Sequence, residues 1–164
     1  MKKYLGKIVA GVSILLAVLA IIMLVAPGMS PKGLAAELGG ESVSLSKIVF
    51  GSDKEGFALS IGLLVAFILV IAGIACSVVA LLGKGGKIVP VVGAVLLLVG
   101  GILFFCTMQL YALDVPEGTP DALVDTAKEM IKETFKLGAG AIMAGIFSVL
   151  SGVACAATIL VNKD

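Results

Sequence analysis

Four long runs without a charged side chain divide the sequence: 24 residues between Lys7 and Lys32, 28 between Glu55 and Lys84, 26 between Lys87 and Asp114, and 26 between Lys136 and Lys163. A helix rising 1.5 Å per residue needs about 20 apolar residues to cross ~30 Å of hydrocarbon, so each run predicts one membrane span. The spans are placed at 8–26, 57–82, 88–111 and 137–161, with longer polar loops at 28–55 and 114–136. The expected fold class is all-α: a four-transmembrane-helix bundle, 1–164 forming one integral membrane domain with a small extracellular cap. The first run is longer than a signal-peptide core and is followed by Pro27 and Gly28, so it reads as a retained helix.

The loops carry patterns of their own. Ser42-Val43-Ser44-Leu45-Ser46 alternates polar and apolar, and Lys47-Ile48-Val49-Phe50 continues in β-forming residues up to Gly51, which predicts a short strand or hairpin arm. Such a strand is either part of a lid over the helix ends or an edge offered to a neighbouring subunit, with Ser44, Ser46, Ile48 and Phe50 as the candidate interaction residues. Upstream, Ser30 and Pro31 form an N-cap and first-turn pair for a short helix through Leu38. In the second loop Thr119-Pro120-Asp121 starts an amphipathic helix. Leu123, Val124, Ala127, Met130, Ile131, Thr134 and Phe135 share one face, while Asp121, Asp125, Glu129 and Glu133 recur every fourth residue on another, each of the last three placed to pair with a lysine three positions on. That acidic stripe is a solvated face or a site for a basic partner or cation. Continued unbroken into the last span, the helix from Pro120 to Val161 would extend roughly 63 Å, with Gly138 and Gly140 as its bending points.

Small residues supply the most specific pattern within the spans. Gly140, Ala144, Ser148, Gly152 and Ala156 follow one another at i+4 in the last span, with Ala141 and Gly145 beside them. Gly73 and Ser77 repeat the device in the second span, and Gly93, Gly100 and Gly101 in the third. Lipid offers no hydrophobic drive for helix association, so such grooves let backbones approach closely, within the bundle or between copies. Gly152 is expected to sit at a close helix contact and Val149 on a different face.

Composition agrees with the spans: 60% of residues are apolar, 14% are charged and the mean hydropathy is +1.20. A soluble domain would hold roughly 45–50% apolar and about 25% charged residues. The net charge of +1 leaves no nucleic-acid footprint. Lysine placement predicts topology. The stubs at Lys2, Lys3 and Lys7, at Lys84 and Lys87, and at Lys163 with Asp164 sum to +5, whereas the two long loops sum to −4. Positive stubs stay inside, so both termini are expected in the cytoplasm of a multi-pass plasma-membrane protein.

Candidate chemistry is sparse. There is no His, Arg or Trp, and the uncharged runs by definition lack the ionisable group that a proton relay needs. Cys76, Cys106 and Cys155 all fall inside predicted spans without a Cys-x-x-Cys pair, and read as small buried apolar side chains. Thr107 and Gln109 near the end of the third span are the strongest polar pair at the membrane edge, with an interhelical hydrogen bond expected. Gly83-Lys84-Gly85-Gly86-Lys87 follows no strand and lacks the spacing of a phosphate loop, so it reads as a tight connection. No catalytic, cofactor-binding or metal-binding residue is assigned.

Four spans, cytoplasmic ends, a first outer loop with strand character and a helical second loop resemble the claudin-type tetraspan plan. Claudins carry a tryptophan-bearing motif and a cysteine pair in the first loop, and here there is no Trp and no loop Cys, so the resemblance is one of topology. Over most of its length the chain more closely resembles small uncharacterised four-span membrane proteins of Gram-positive bacteria, whose first outer loop holds a segment like Ser44-Leu45-Ser46-Lys47-Ile48-Val49-Phe50-Gly51 before the second span. The resemblance implies a bacterial plasma-membrane protein and assigns no activity. The expected function is that of a non-enzymatic structural or interaction protein, associating as a homo-oligomer or with a membrane-protein partner through small-residue helix faces and outer loops. Membrane lipid is its solvent and nucleic acid is not a partner. The alternative is a channel or pore-forming oligomer, for which only Ser, Thr and Gln109 could line a lumen.

Overall fold

Apolar runs bounded by glycine, proline and serine become helices, and the residues that bound them determine where each one stops. The computed structural model describes residues 2–84 and 86–161; Gly85 and the tail from residue 162, which carries Lys163 and Asp164 of the charge argument, lie outside them. The described chain runs α1 (Lys2–Ile22), a 3-10 turn (Met23–Val25), β1 (Pro27–Pro31), α2 (Leu34–Glu37), β2 (Val43–Ser44), α3 (Leu45–Phe50), a second 3-10 turn (Asp53–Glu55), β3 (Phe57–Ala58) and α4 (Ile61–Leu81). It continues through α5 (Ile88–Phe105), α6 (Thr107–Leu110), β4 (Ala112–Leu113), α7 (Asp121–Thr134), β5 (Phe135–Leu137) and α8 (Ala139–Val161).

Helices α1, α4, α5 and α8 are each long and apolar enough to cross a membrane, as a multi-pass membrane protein requires. The 18 residues of α5 rise about 27 Å and the 23 of α8 about 35 Å. Ser60 caps α4, its Oγ accepting from the Leu63 amide at 3.3 Å. At the other end Gly83 takes φ +71, open to glycine without strain, and its amide closes on Ala80 O at 3.0 Å. Ala26, extended because Pro27 follows it, ends the first helical segment.

The four long helices pack side by side, α1 against α4 and α8, and α5 against the same two. Both long loops gather at one end, where two small antiparallel sheets join the helices in pairs. In the order β2-β1-β5, the first sheet sets Met29 opposite Leu137 and Pro31 opposite Phe135, tying the exit of α1 to the entry of α8. The second pairs Phe57 with Leu113 and Ala58 with Ala112, tying the entry of α4 to the exit of α5. Ser60 Oγ reinforces that tie by donating to Leu110 O at 2.5 Å.

Several sequence expectations change here. The strand expected over 42–50 shrinks to Val43–Ser44, and Leu45–Phe50 is helical. Leu45, Ile48 and Val49 are fully buried at i, i+3, i+4, a helical spacing that overrides the alternation of the serines before them. Ser30 and Pro31 lie in β1 rather than capping a helix, and α2 starts three residues later without a side-chain cap. The second-loop helix is not continuous with the last span. It ends at Thr134 because Phe135, Lys136 and Leu137 extend to pair with β1, and Gly138 passes so close to Pro27 that a side chain there would collide with the proline carbonyl.

Candidate functional site

Most of the small residues singled out in the later spans have a specific neighbour within the chain. A side chain begun at Gly152 would meet Leu98 Cγ at 2.9 Å and Ala94 O at 3.1 Å, so this part of the α8 groove is filled by α5. Ser148, fully buried, donates to Leu97 O on α5 at 2.8 Å, and Ala144 is fully buried. At the loop end Gly140 lies against Ala26 O, 2.6 Å from where its Cβ would stand. Ala156 is half-buried and packs on the same core. Gly73 of α4 receives Leu97 of α5, and Gly101 of α5 receives Val149 of α8. Val149 therefore shares the α5–α8 contact instead of lying on another face.

A polar cluster that the sequence reading did not single out joins the four long helices. Ser13 of α1 donates to Ser151 O of α8 at 2.9 Å, and Ser151 Oγ donates back to Ser13 O at 2.7 Å. Ser77 of α4 lies 3.3 Å from Ser13 Oγ and donates to its own Gly73 carbonyl at 3.0 Å. Cys155 of α8 completes the circuit, 3.5 Å from Ser77 Oγ and donating to Pro90 O of α5 at 3.4 Å. These side chains are essentially inaccessible, and each hydroxyl finds an acceptor, which is what an apolar interior demands. Ser13 lies in a small-residue register, Gly6, Ala10, Ser13, Ala17 and Ala20, whose steps of three and four mark the buried face of α1. That register was present in the sequence.

Other expected polar contacts are local. Thr107 Oγ1 donates to Phe104 O of its own segment at 2.6 Å, and Gln109 is exposed with no hydrogen bond to Thr107. Cys76, Cys106 and Cys155 are free thiols, and among the described residues no group of three potential ligands could hold a metal ion.

At the loop end Ile48 is fully buried, beneath Gly28, and Phe50 is half-exposed with its ring edge-on to Phe67 of α4, centroids 5.6 Å apart. Ser44 and Ser46 are half-buried and face each other at 3.3 Å. Of the four candidate loop residues, Phe50 thus keeps the largest accessible surface. Lys47 pairs with Glu55, the one ion pair among the described residues; the acidic stripe of α7 is not closed by its lysines.

Helix α7 has no buried residue; Ile131 packs on the core, and two of the helix's carbonyls accept side-chain hydrogen bonds from elsewhere in the chain. The Tyr111 hydroxyl donates to Lys128 O at 3.0 Å, and burial pushes that phenol above its ordinary pKa. Lys32 grips the C-terminal end twice, Nζ donating to Lys132 O at 2.7 Å and its amide to Thr134 O at 2.8 Å. An open hollow of about 410 Å³ lies between this end of α7 and α2, lined by Lys32, Gly33, Leu34, Ala35, Glu133 and Thr134. No known protein family, curated protein or solved structure matches the chain.

Proposed function

We propose that this chain is a non-enzymatic structural or interaction protein of the plasma membrane, with both termini in the cytoplasm and the two long loops forming an extracellular cap on a four-helix bundle. The observation that carries this reading is the destination of the polar groups in the spans. The buried hydroxyls bond to carbonyls or to one another, leaving no free polar stripe for a substrate or ion among the described residues. The lysine asymmetry supports the orientation. Because the small-residue grooves of α4 and α8 are occupied by helices of the same chain, association with a second copy or a membrane partner falls to the loop end and the lipid-facing sides.

Two measurements test this. A membrane-impermeant thiol probe should reach a cysteine placed at Gly40 on intact cells and fail to reach one at Gly85; the reverse pattern overturns the orientation. Purified protein in a planar bilayer should give no reproducible conductance steps, and their appearance would establish the channel reading instead.

A further inference from the structure

Part of the apolar side of helix α7 is left uncovered by the described residues, while Ile131 beside it packs on the core. Leu123 and Met130 are 60% and 63% exposed. At about 100° per residue they lie within roughly 20° of one another around the helix, two turns apart. Glu133 and Thr134, which line the hollow against α2, stand at roughly 60° and 40° on either side of Met130. The hollow therefore continues the Leu123–Met130 stripe, and Leu34, 69% exposed on its far wall, supplies a third apolar position. Along one bank stand Glu133 and Glu129, roughly 60° and 100° around the helix from Met130, both exposed and neither ion-paired among the described residues. The loop from 114 to 136 carries six acids against three lysines.

We propose that this furrow docks a cationic amphipathic helical segment of another polypeptide, its apolar residues on Leu123, Met130 and Leu34 and its lysines or arginines along the acidic bank. The inference rests on the reading of the chain as an interaction protein and names the chemistry of its partner. Charge selects the occupant. A second copy would bring the same carboxylates face to face, and a surface of anionic headgroups would be repelled, whereas a basic helix of about three to four turns matches the furrow in sign and length.

The test uses the full chain in nanodiscs of zwitterionic phosphatidylcholine, with a fluorescent helical peptide of leucines and lysines and a counterpart in which glutamate replaces lysine. Saturable binding of the lysine peptide above that of protein-free nanodiscs is expected, with no binding of the glutamate peptide. Glu129→Lys with Glu133→Lys should weaken the lysine peptide by about tenfold, reduce its salt dependence and admit the glutamate peptide. Leu123→Ser with Met130→Ser should weaken binding about fivefold or more without changing the salt dependence. Equal binding by both variants and the parent, or by protein-free nanodiscs, overturns the proposal. So does quenching of Leu123→Trp fluorescence by brominated lipid, which would place the apolar side in the membrane, or cross-linking between copies through Met130→Cys. Failure here would leave the labelling and conductance results standing, and failure of those would not affect peptide binding in nanodiscs.

Discussion

Ser13 on α1 and Ser151 on α8 exchange hydrogen bonds in both directions, each hydroxyl donating to the other residue's carbonyl, at 2.9 and 2.7 Å. The two carbonyls already belong to helical ladders, so the serines use second lone pairs and cost the helices no backbone bond. Ser77 approaches the same pair from α4 and joins a third helix to it. In an apolar interior this contact specifies which faces of α1 and α8 meet and at what register, because sliding one helix by a single residue would leave two hydroxyls without partners.

Removing either half of the exchange should weaken the α1–α8 contact. Ser13→Ala or Ser151→Ala is expected to lower stability by about 0.6–1.7 kcal/mol, the range for interhelical hydrogen bonds in lipid. The double variant should lose less than the sum of the two, since the 3.0 Å contact between the two hydroxyls is lost with either one and can be lost only once. Thermal melting in detergent reads all three. Strict additivity would mean that the hydroxyls act independently.

Gly152 has no room for a side chain, whereas its neighbour in sequence, Val153, is 56% exposed. Gly152→Leu should push Leu98 and the Ala94 carbonyl away and destabilise the packed helices by ~1–3 kcal/mol. Val153→Leu should change the melting temperature little. Equal effects from the two substitutions would place position 152 outside the α5–α8 contact.

Tyr111 ties α7 to the end of α5 through Lys128 O, and its ring also packs edge-on to Phe57, centroids 6.1 Å apart. Burial raises the folded phenol above the ordinary value of 10.0. The unfolded chain therefore releases this proton first, and the stability contributed by the neutral hydroxyl is present below about pH 10 and lost as pH rises through the folded value. The parent protein should lose more stability between about pH 8 and about pH 11 than Tyr111→Phe, which also lacks about 0.5–1.5 kcal/mol of hydrogen bonding at the lower pH. Parallel melting curves across that interval would show that the phenol does not titrate differently on folding.

Residue patterning reveals the spans and hides much of the loop structure for the same physical reason. Crossing a membrane demands length and the absence of charge, and both are read directly from Lys7–Lys32 and the three later runs. Loop segments of three to six residues answer instead to partners far away in sequence. Leu45–Phe50 becomes a helix because Leu45, Ile48 and Val49 must be buried together beneath Gly28, and Phe135–Leu137 leaves the helical path because β1 offers it backbone partners. The small-residue series on α8 was legible, but its neighbour α5 was not. The Ser13 register on α1 was equally legible, a serine among alanines and glycines at steps of three and four. Its pairing with Ser151 depends on a separation of 138 residues that no local pattern encodes.

Two glycines in the spans separate packing from helix propensity. Gly93 of α5 faces α4 and α8, where a side chain would begin 2.9 Å from Cys76 Cβ and 3.2 Å from Cys155 Sγ, while Gly11 of α1 has nothing within 4 Å. Alanine is the better helix former by about 0.8–1 kcal/mol, so Gly11→Ala should be neutral or stabilising. Gly93→Ala carries the same propensity gain and must also push apart the contacts with Cys76 and Cys155, so it should fall below the parent by about 1–3 kcal/mol. Relief should be specific. Adding Cys155→Ala removes the sulfur that the new methyl meets, and the double variant should recover part of what Gly93→Ala loses, although Cys155→Ala alone gives up the thiol bond to Pro90 O. A melting-temperature cycle over the four proteins measures that coupling, and a coupling of zero would place the Cys155 thiol away from Gly93.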